Sequence, residues 1–83
     1  MYYTYILKSK KNGKFYIGSC EHIDSRLERH NAGATSSTKH ARPWELVYAE
    51  EFLTRSEAIK RENQIKSKKS RKYIEYLIDG SDG

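Results

Sequence analysis

Cysteine, proline and long apolar runs are nearly missing from this chain, and each shortage excludes something. With Cys20 the only cysteine among 83 residues, no intramolecular disulfide framework and no cysteine-built zinc site can form. Cys20 itself suits a small buried hydrophobe. Proline occurs once, at Pro43, closing a stretch of loop composition, ATSSTKHARP over 34–43. No apolar run approaches the ~20 residues that span a bilayer. The N-terminal residues follow a strand pattern rather than the basic-then-apolar order of a signal peptide, so the expectation is a soluble, cytoplasmic protein without membrane contact. Hydrophobic residues are only 36% of the chain against 33% charged, which demands an economical, aromatic-heavy core in one small domain. That domain is expected over 1–79, with a flexible tail over 80–83.

Acids are also short, 11 against 16 bases, and the net charge is +5. The bases cluster. Lys8, Lys10, Lys11 and Lys14 crowd one turn, and Lys60, Arg61, Lys66, Lys68, Lys69, Arg71 and Lys72 crowd the last third. Such clusters suit a polyanion, because phosphate contacts by Lys and Arg release counterions; ordinary solvated surface is the competing reading.

The richest stretch is YYTYILKSKKNGKFYIGS, Tyr2 to Ser19. Two runs of strand-forming residues flank Asn12-Gly13, a hairpin signal. A two-residue loop sets Tyr5 opposite Cys20 and Tyr16 opposite Ser9; a four-residue loop, Lys10 to Gly13, sets Tyr5 opposite Gly18 and Tyr16 opposite Leu7. Both put the two phenols on one face, since side chains alternate with period two, whereas a three-residue loop would separate them. The four-residue loop is preferred because it brings Tyr5 and Tyr16 close together. A glycine inside a strand, Gly18, marks close approach by a ligand or another backbone, and here it leaves room for a phosphate.

A helix is expected from Glu21 to Gly33, opened by a capping box at Ser25-Arg26-Leu27-Glu28 and stopped by Gly33. Arg26 and His30 share one of its faces with Arg29 beside them, a stack that repels itself unless an anion sits opposite. Trp44 is expected at the edge of the core. Glu45 to Phe52 reads as a third strand, Leu46 and Tyr48 on one face and Val47 and Ala49 on the other, covered on both sides. A capping box at Thr54-Arg55-Ser56-Glu57 opens a helix to about Lys66, with an apolar stripe of Ala58, Ile59 and Ile65. Glu62 falls within that stripe, where a carboxylate needs a cationic partner or a metal. Ser70 caps a last helix whose core face is Tyr73, Ile74, Leu77 and Ile78.

Two phenols, an Arg/His pair and an inward carboxylate are the parts a metal-assisted phosphodiester hydrolase needs: a carboxylate for Mg²⁺, an arginine for charge on phosphate, and a protonatable group for the water. The sequence resembles the GIY-YIG nuclease superfamily, above all its small stand-alone bacterial members related to the N-terminal nuclease domain of the excision-repair incision subunit. Tyr16-Ile17-Gly18 matches the second half-motif. Tyr3-Thr4-Tyr5 stands at the first and keeps only its tyrosine. Arg26 in RLERHNAG, His30, RPWELVY over 42–48 and SEAIKRE over 56–62, which ends on Glu62, extend the likeness over about Tyr2 to Ile78.

The resemblance implies an α+β fold, a three-stranded antiparallel sheet flanked by three helices in the order β-β-α-β-α-α. It implies hydrolysis of DNA phosphodiesters, DNA-repair substrates (branched or damaged DNA) among them, with Mg²⁺ or another divalent ion held by Glu62. Tyr5 and Tyr16 would position or deprotonate the water, either being the base, Arg26 with His30 would contact the scissile phosphate, and Arg26 and Glu62 would both stand opposite the face that carries the two phenols. Gly18, Lys14, Arg29, His40, Lys66 and Lys68 are expected along the nucleic acid. The alternative is a nucleic-acid-binding module of the same fold with weak or vestigial catalysis; a scaffold for protein interaction comes third. With no separate targeting domain in 83 residues, target choice falls to DNA shape, a protein partner or homo-oligomerisation.

Overall fold

Side-chain alternation along one strand builds both halves of the molecule. The structure, a computed structural model, describes residues 1–80. Its central strand β1 (Tyr2–Ser9) lies between β2 (Phe15–Cys20) and β3 (Trp44–Phe52) in an antiparallel sheet ordered β2-β1-β3. Helix α1 (Ile23–Asn31) follows β2, a short 3₁₀ turn (Lys39–Ala41) precedes β3, and α2 (Arg55–Lys68) and α3 (Arg71–Gly80) complete the chain. This is the expected α+β architecture in the expected order.

Tyr5 and Leu7 project to one face and pack with Cys20 and Trp44 against Ile23 and Leu27 of α1. Ile6 projects to the other face and packs with Ile65 and Leu77 of α2 and α3. A small domain thus divides its apolar residues between two thin cores sharing one strand. The hairpin adopts the four-residue loop: Ser9 N–H donates to the Lys14 carbonyl (2.8 Å), and Tyr5 faces Gly18 while Leu7 faces Tyr16. Ser9 Oγ accepts the amides of Lys11 and Asn12 (3.0 and 3.1 Å), and Gly13 supplies the positive φ of 75° that ends the turn.

The Thr54–Glu57 capping box is present in full, and Ser70 Oγ accepts from Tyr73 N–H at 3.1 Å. The one expected at Ser25 is not. Helix α1 is capped at His22 without a side-chain bond, so Ser25 lies inside its first turn. The early start sets Ile23 and Leu27, four apart, on the face that meets Tyr5 and Leu7. Other local expectations shift for similar reasons. Ile59 is exposed rather than part of the α2 stripe, which reduces to Ala58 and Ile65. In β3 a register irregularity opposite Ile6/Leu7 turns Val47 and Tyr48 to the same core, leaving Leu46 and Ala49 exposed, so β3 is not covered on both faces. Trp44 is buried in the core instead of at its edge. Gly80 ends α3 instead of opening the tail, whose other residues, 81–83, lie outside the described ones. Among the described residues no helix is long and apolar enough to cross a membrane.

Candidate active site

The edge strand β2 is the axis of the site. Tyr16 and the space over Gly18 belong to its α1 side. Ser19, next along, belongs to its α2 side, opposite Thr4, whose hydroxyl donates to the Ala58 carbonyl of α2 (2.6 Å). Tyr5 and Tyr16 share the α1 side as the pattern requires, their ring centroids 6.4 Å apart. Tyr5 is fully buried and Tyr16 half-buried.

Gly18 turns out to serve the phenol. A Cβ on Gly18 would lie 2.5 Å from Tyr5 Oη and 2.7 Å from its Cζ, so the room that the missing side chain leaves is filled by the Tyr5 ring, not open to a phosphate. Glycine here lets Tyr5 extend across the edge strand.

His30, also buried, packs its ring 4.8 Å from Tyr16 and 6.3 Å from Tyr5 between centroids. Its Nδ1 is 2.8 Å from Thr38 Oγ1, and its Nε2 is 3.3 Å from Tyr5 Oη. The Thr38 hydroxyl directs its own proton to the Thr35 carbonyl at 3.3 Å. On that basis we assign the Nδ1–H tautomer: Nδ1–H donates to Thr38, and Nε2 accepts the Tyr5 proton. The charges agree. Burial lowers the His30 pKa below its ordinary 6.5, and the guanidiniums of Arg26 and Arg29 press in the same direction, so the imidazole is neutral. Neutrality also removes the repulsion expected from an Arg/His stack. Burial holds the Tyr5 phenol well above the usual tyrosine range and Tyr16 adds to this, while Arg26 pulls the other way.

Glu62 comes to β2 from the opposite face, on α2, and not from the side of the phenols. Ser19 Oγ donates to its Oε1 (2.7 Å), and Lys66 Nζ, one helical turn on, donates to its Oε2 (2.5 Å). The carboxylate is mostly buried, with 16% of its side chain exposed. β2 is an edge strand, with the phenols on one face and Glu62 on the other.

The remaining expected residues scatter. Arg29 borders a groove beside Arg26. Lys14 and Lys66 border another, between β2 and the α2–α3 turn, with Lys69 and Arg71. Lys68 sits 5.3 Å from the centre of the Tyr73 ring. His40 is exposed on the 3₁₀ turn at the hairpin end of the sheet, and only its carbonyl is engaged, by Lys11 Nζ (3.1 Å); it does not join the phenols.

Comparison with known proteins places the chain in a family. The GIY-YIG catalytic domain matches residues 1–74. The chain belongs to the GIY-YIG family. It is similar to a UPF0213 protein of Staphylococcus saprophyticus, 41% identical over 80 residues that cover 95% of this chain and 96% of the relative. A UPF0213 protein of Staphylococcus aureus is 42% identical over 67 residues, 80% of each chain. The solution NMR structure of a UPF0213 protein from Bacillus halodurans aligns with a TM-score of 0.57 at 33% identity, covering 94% of this chain and 83% of that one. GIY-YIG domains are nuclease domains, and in this one Tyr16-Ile17-Gly18 lies along the edge strand just described.

Three side chains of this GIY-YIG domain went unread in its sequence. Thr38 fixes His30; Ser19 fixes Glu62; Asn31 joins Trp44 N–H (2.6 Å) and C=O (3.0 Å) through its amide, tying the end of α1 to the start of β3. A threonine in a polar loop, a serine after a motif and an asparagine before a helix stop carry no distinguishing local signal.

Proposed function

We propose that this protein is a metal-dependent endonuclease that hydrolyses DNA phosphodiester bonds. The observation that carries the reading is the meeting, around one edge strand, of a buried Tyr5–His30–Thr38 chain beside Arg26 with a Ser19-anchored carboxylate, Glu62.

The donor set suits Mg²⁺. Among the described residues no three His, Cys, Asp or Glu side chains gather, so a cage of protein ligands is not offered. Magnesium asks for one or two carboxylates and completes its shell with water and substrate phosphate. Glu62 would hold it with the Ser19 hydroxyl alongside, and the Lys66 ammonium already shows that Oε2 receives a cation. When bound, the ion supplies charge neutralisation at the phosphate and leaving oxygen.

The chain's own residues do the rest. Arg26 contacts the scissile phosphate and offsets charge that grows in the transition state. Tyr16, the more accessible phenol, orients the attacking water. Tyr5 takes the water's proton as it passes its own to His30 Nε2, so no free phenolate has to exist in the resting site, where a phenol's ordinary pKa near 10 forbids one. Phosphate binding offsets the charge of Arg26 and Arg29, which raises the proton affinity of His30 when substrate is in place. Lys14, Lys66 and Lys68 contribute positive field along the DNA.

The test is cleavage of plasmid and branched DNA with Mg²⁺ or with chelator. Wild type is expected to cut only with metal. Glu62→Ala and Arg26→Ala are each expected to lose at least about 10²-fold in rate, the scale of removing one transition-state charge contact. Binding without cutting on every substrate and metal would favour a nucleic-acid-binding module instead.

A further inference from the structure

Beside the proposed catalytic cluster, where β2 ends at Cys20, a groove of ≈ 250 Å³ is lined by three arginines, Arg26, Arg29 and Arg55. Arg26 and Arg29 come from α1, Arg55 from the first turn of α2. Among the described residues none of the three forms an ion pair with a carboxylate, whereas Arg61 and Arg71 each do. The one acid at the groove, Glu21, is exposed and stands 3.9 Å from His22. Three neighbouring positive charges left without an internal carboxylate raise one another's energy, which an anion from outside relieves. Arg55 is also held in place: its guanidinium lies 5.1 Å from the centre of the Tyr2 ring, a cation–π contact that limits its freedom before any ligand arrives.

We propose that this groove is a second phosphate subsite, in which Arg29 and Arg55 bind a backbone phosphate flanking the scissile one on the same nucleic-acid strand. Its place in the fold favours that occupant. Arg26 belongs to both the catalytic cluster and the groove, so the two anion positions are contiguous. Arg55 and Glu62 are seven residues apart on α2, two turns on one helix face and about 10 Å at 1.5 Å per residue. Phosphates recur every ~3.4 Å of axis along one duplex strand, so both positions fall within a few phosphates of each other. Guanidiniums contacting phosphate fix the register of the strand without reading its bases. The subsite deepens the endonuclease reading and depends on it for the meaning of "scissile", but not for binding.

The experiment measures affinity for a fluorescein-labelled 20-base-pair duplex in chelator, from about 50 to 200 mM salt, for wild type, Arg29→Ala, Arg55→Ala, the double variant and Arg55→Lys. Lys60→Ala, an exposed cation on α2 outside the groove, is the control, and thermal melts of all variants accompany it. Each phosphate contact contributes a slope of ~0.9, or about a threefold loss of affinity across that range. Because both guanidiniums meet one phosphate, the double variant is expected to remove one such step and Arg29→Ala and Arg55→Ala each a part of it, with Arg55→Lys restoring the slope and Lys60→Ala leaving it alone. Unchanged slopes in both alanine variants, or an equal change in Lys60→Ala, would overturn the subsite. Cleavage in Mg²⁺ separates the two ideas. A wild type that cuts while the slopes stay put loses the subsite alone. A wild type that never cuts while the slopes shift as expected keeps the subsite and loses the endonuclease.

Discussion

The two sides of strand β2 differ in kind. On the α1 side every polar atom of the Tyr5–His30–Thr38 chain is buried and spoken for, and even the gap left by Gly18 is occupied. On the α2 side Glu62 is held by a hydroxyl and by a lysine whose side chain is 49% exposed. One side is closed and fully hydrogen-bonded; the other keeps a half-exposed partner. A buried network costs heavily when one member is lost, whereas an ion pair whose lysine is half exposed is weakened by solvent and opens more readily for another cation. In the proposed reaction, proton handling draws on the first property and metal capture on the second.

The contrast breaks most visibly at His30. His30→Ala would remove a fully buried ring and unpair both the Tyr5 hydroxyl and Thr38, so thermal or denaturant unfolding is expected to show a loss of about 3 kcal/mol. Tyr5→Phe keeps the ring and removes only the donor to Nε2. Its expected loss is about 1–2 kcal/mol, with cleavage falling much further than stability. If Tyr5→Phe cuts as well as wild type, the proton passes through Tyr16.

The same side sets a pH dependence. The unfolded chain protonates His30 below its ordinary 6.5, while the folded chain resists protonation until lower pH. The folded state therefore binds fewer protons in that window, and stability from His30 is complete above 6.5 and declines as pH falls through the window. Denaturant midpoints from pH 8 to 5 are expected to fall, and His30→Gln should flatten that part of the decline.

Much of the locked side was legible because its logic is local. Alternation placed Tyr5 and Tyr16 together, and Asn12-Gly13 announced the turn. The capping box at Thr54 survived because a helix end is a local object; the one at Ser25 did not, because the core's need for Ile23 moved the helix start. What sequence could not show is which side of the sheet a distant helix covers. Glu62 faces inward as expected, but not opposite the phenols as expected, because Ile65 and Ala58 pack α2 against the face that carries Ile6 and Thr4. Gly18 misled for a related reason. An absent side chain signals that something comes close, and only the fold reveals that the visitor is the Tyr5 ring.

The smallest effect is the most discriminating for the exchangeable side. Glu62→Gln retains an oxygen to accept from Ser19 and loses only the charge that Lys66 answers. Because Lys66 is half exposed, the pair contributes little after solvent screening, and a change of under about 0.5 kcal/mol is expected on unfolding. Lys66→Met should be similarly mild, but it would leave Oε2 without a competing cation. Mg²⁺ titration followed by thermal shift is then expected to show tighter binding than wild type in Lys66→Met and none in Glu62→Gln. A large destabilisation of Glu62→Gln, comparable with His30→Ala, would instead make Glu62 a structural member of a buried network, and the difference between the two sides of β2 would disappear.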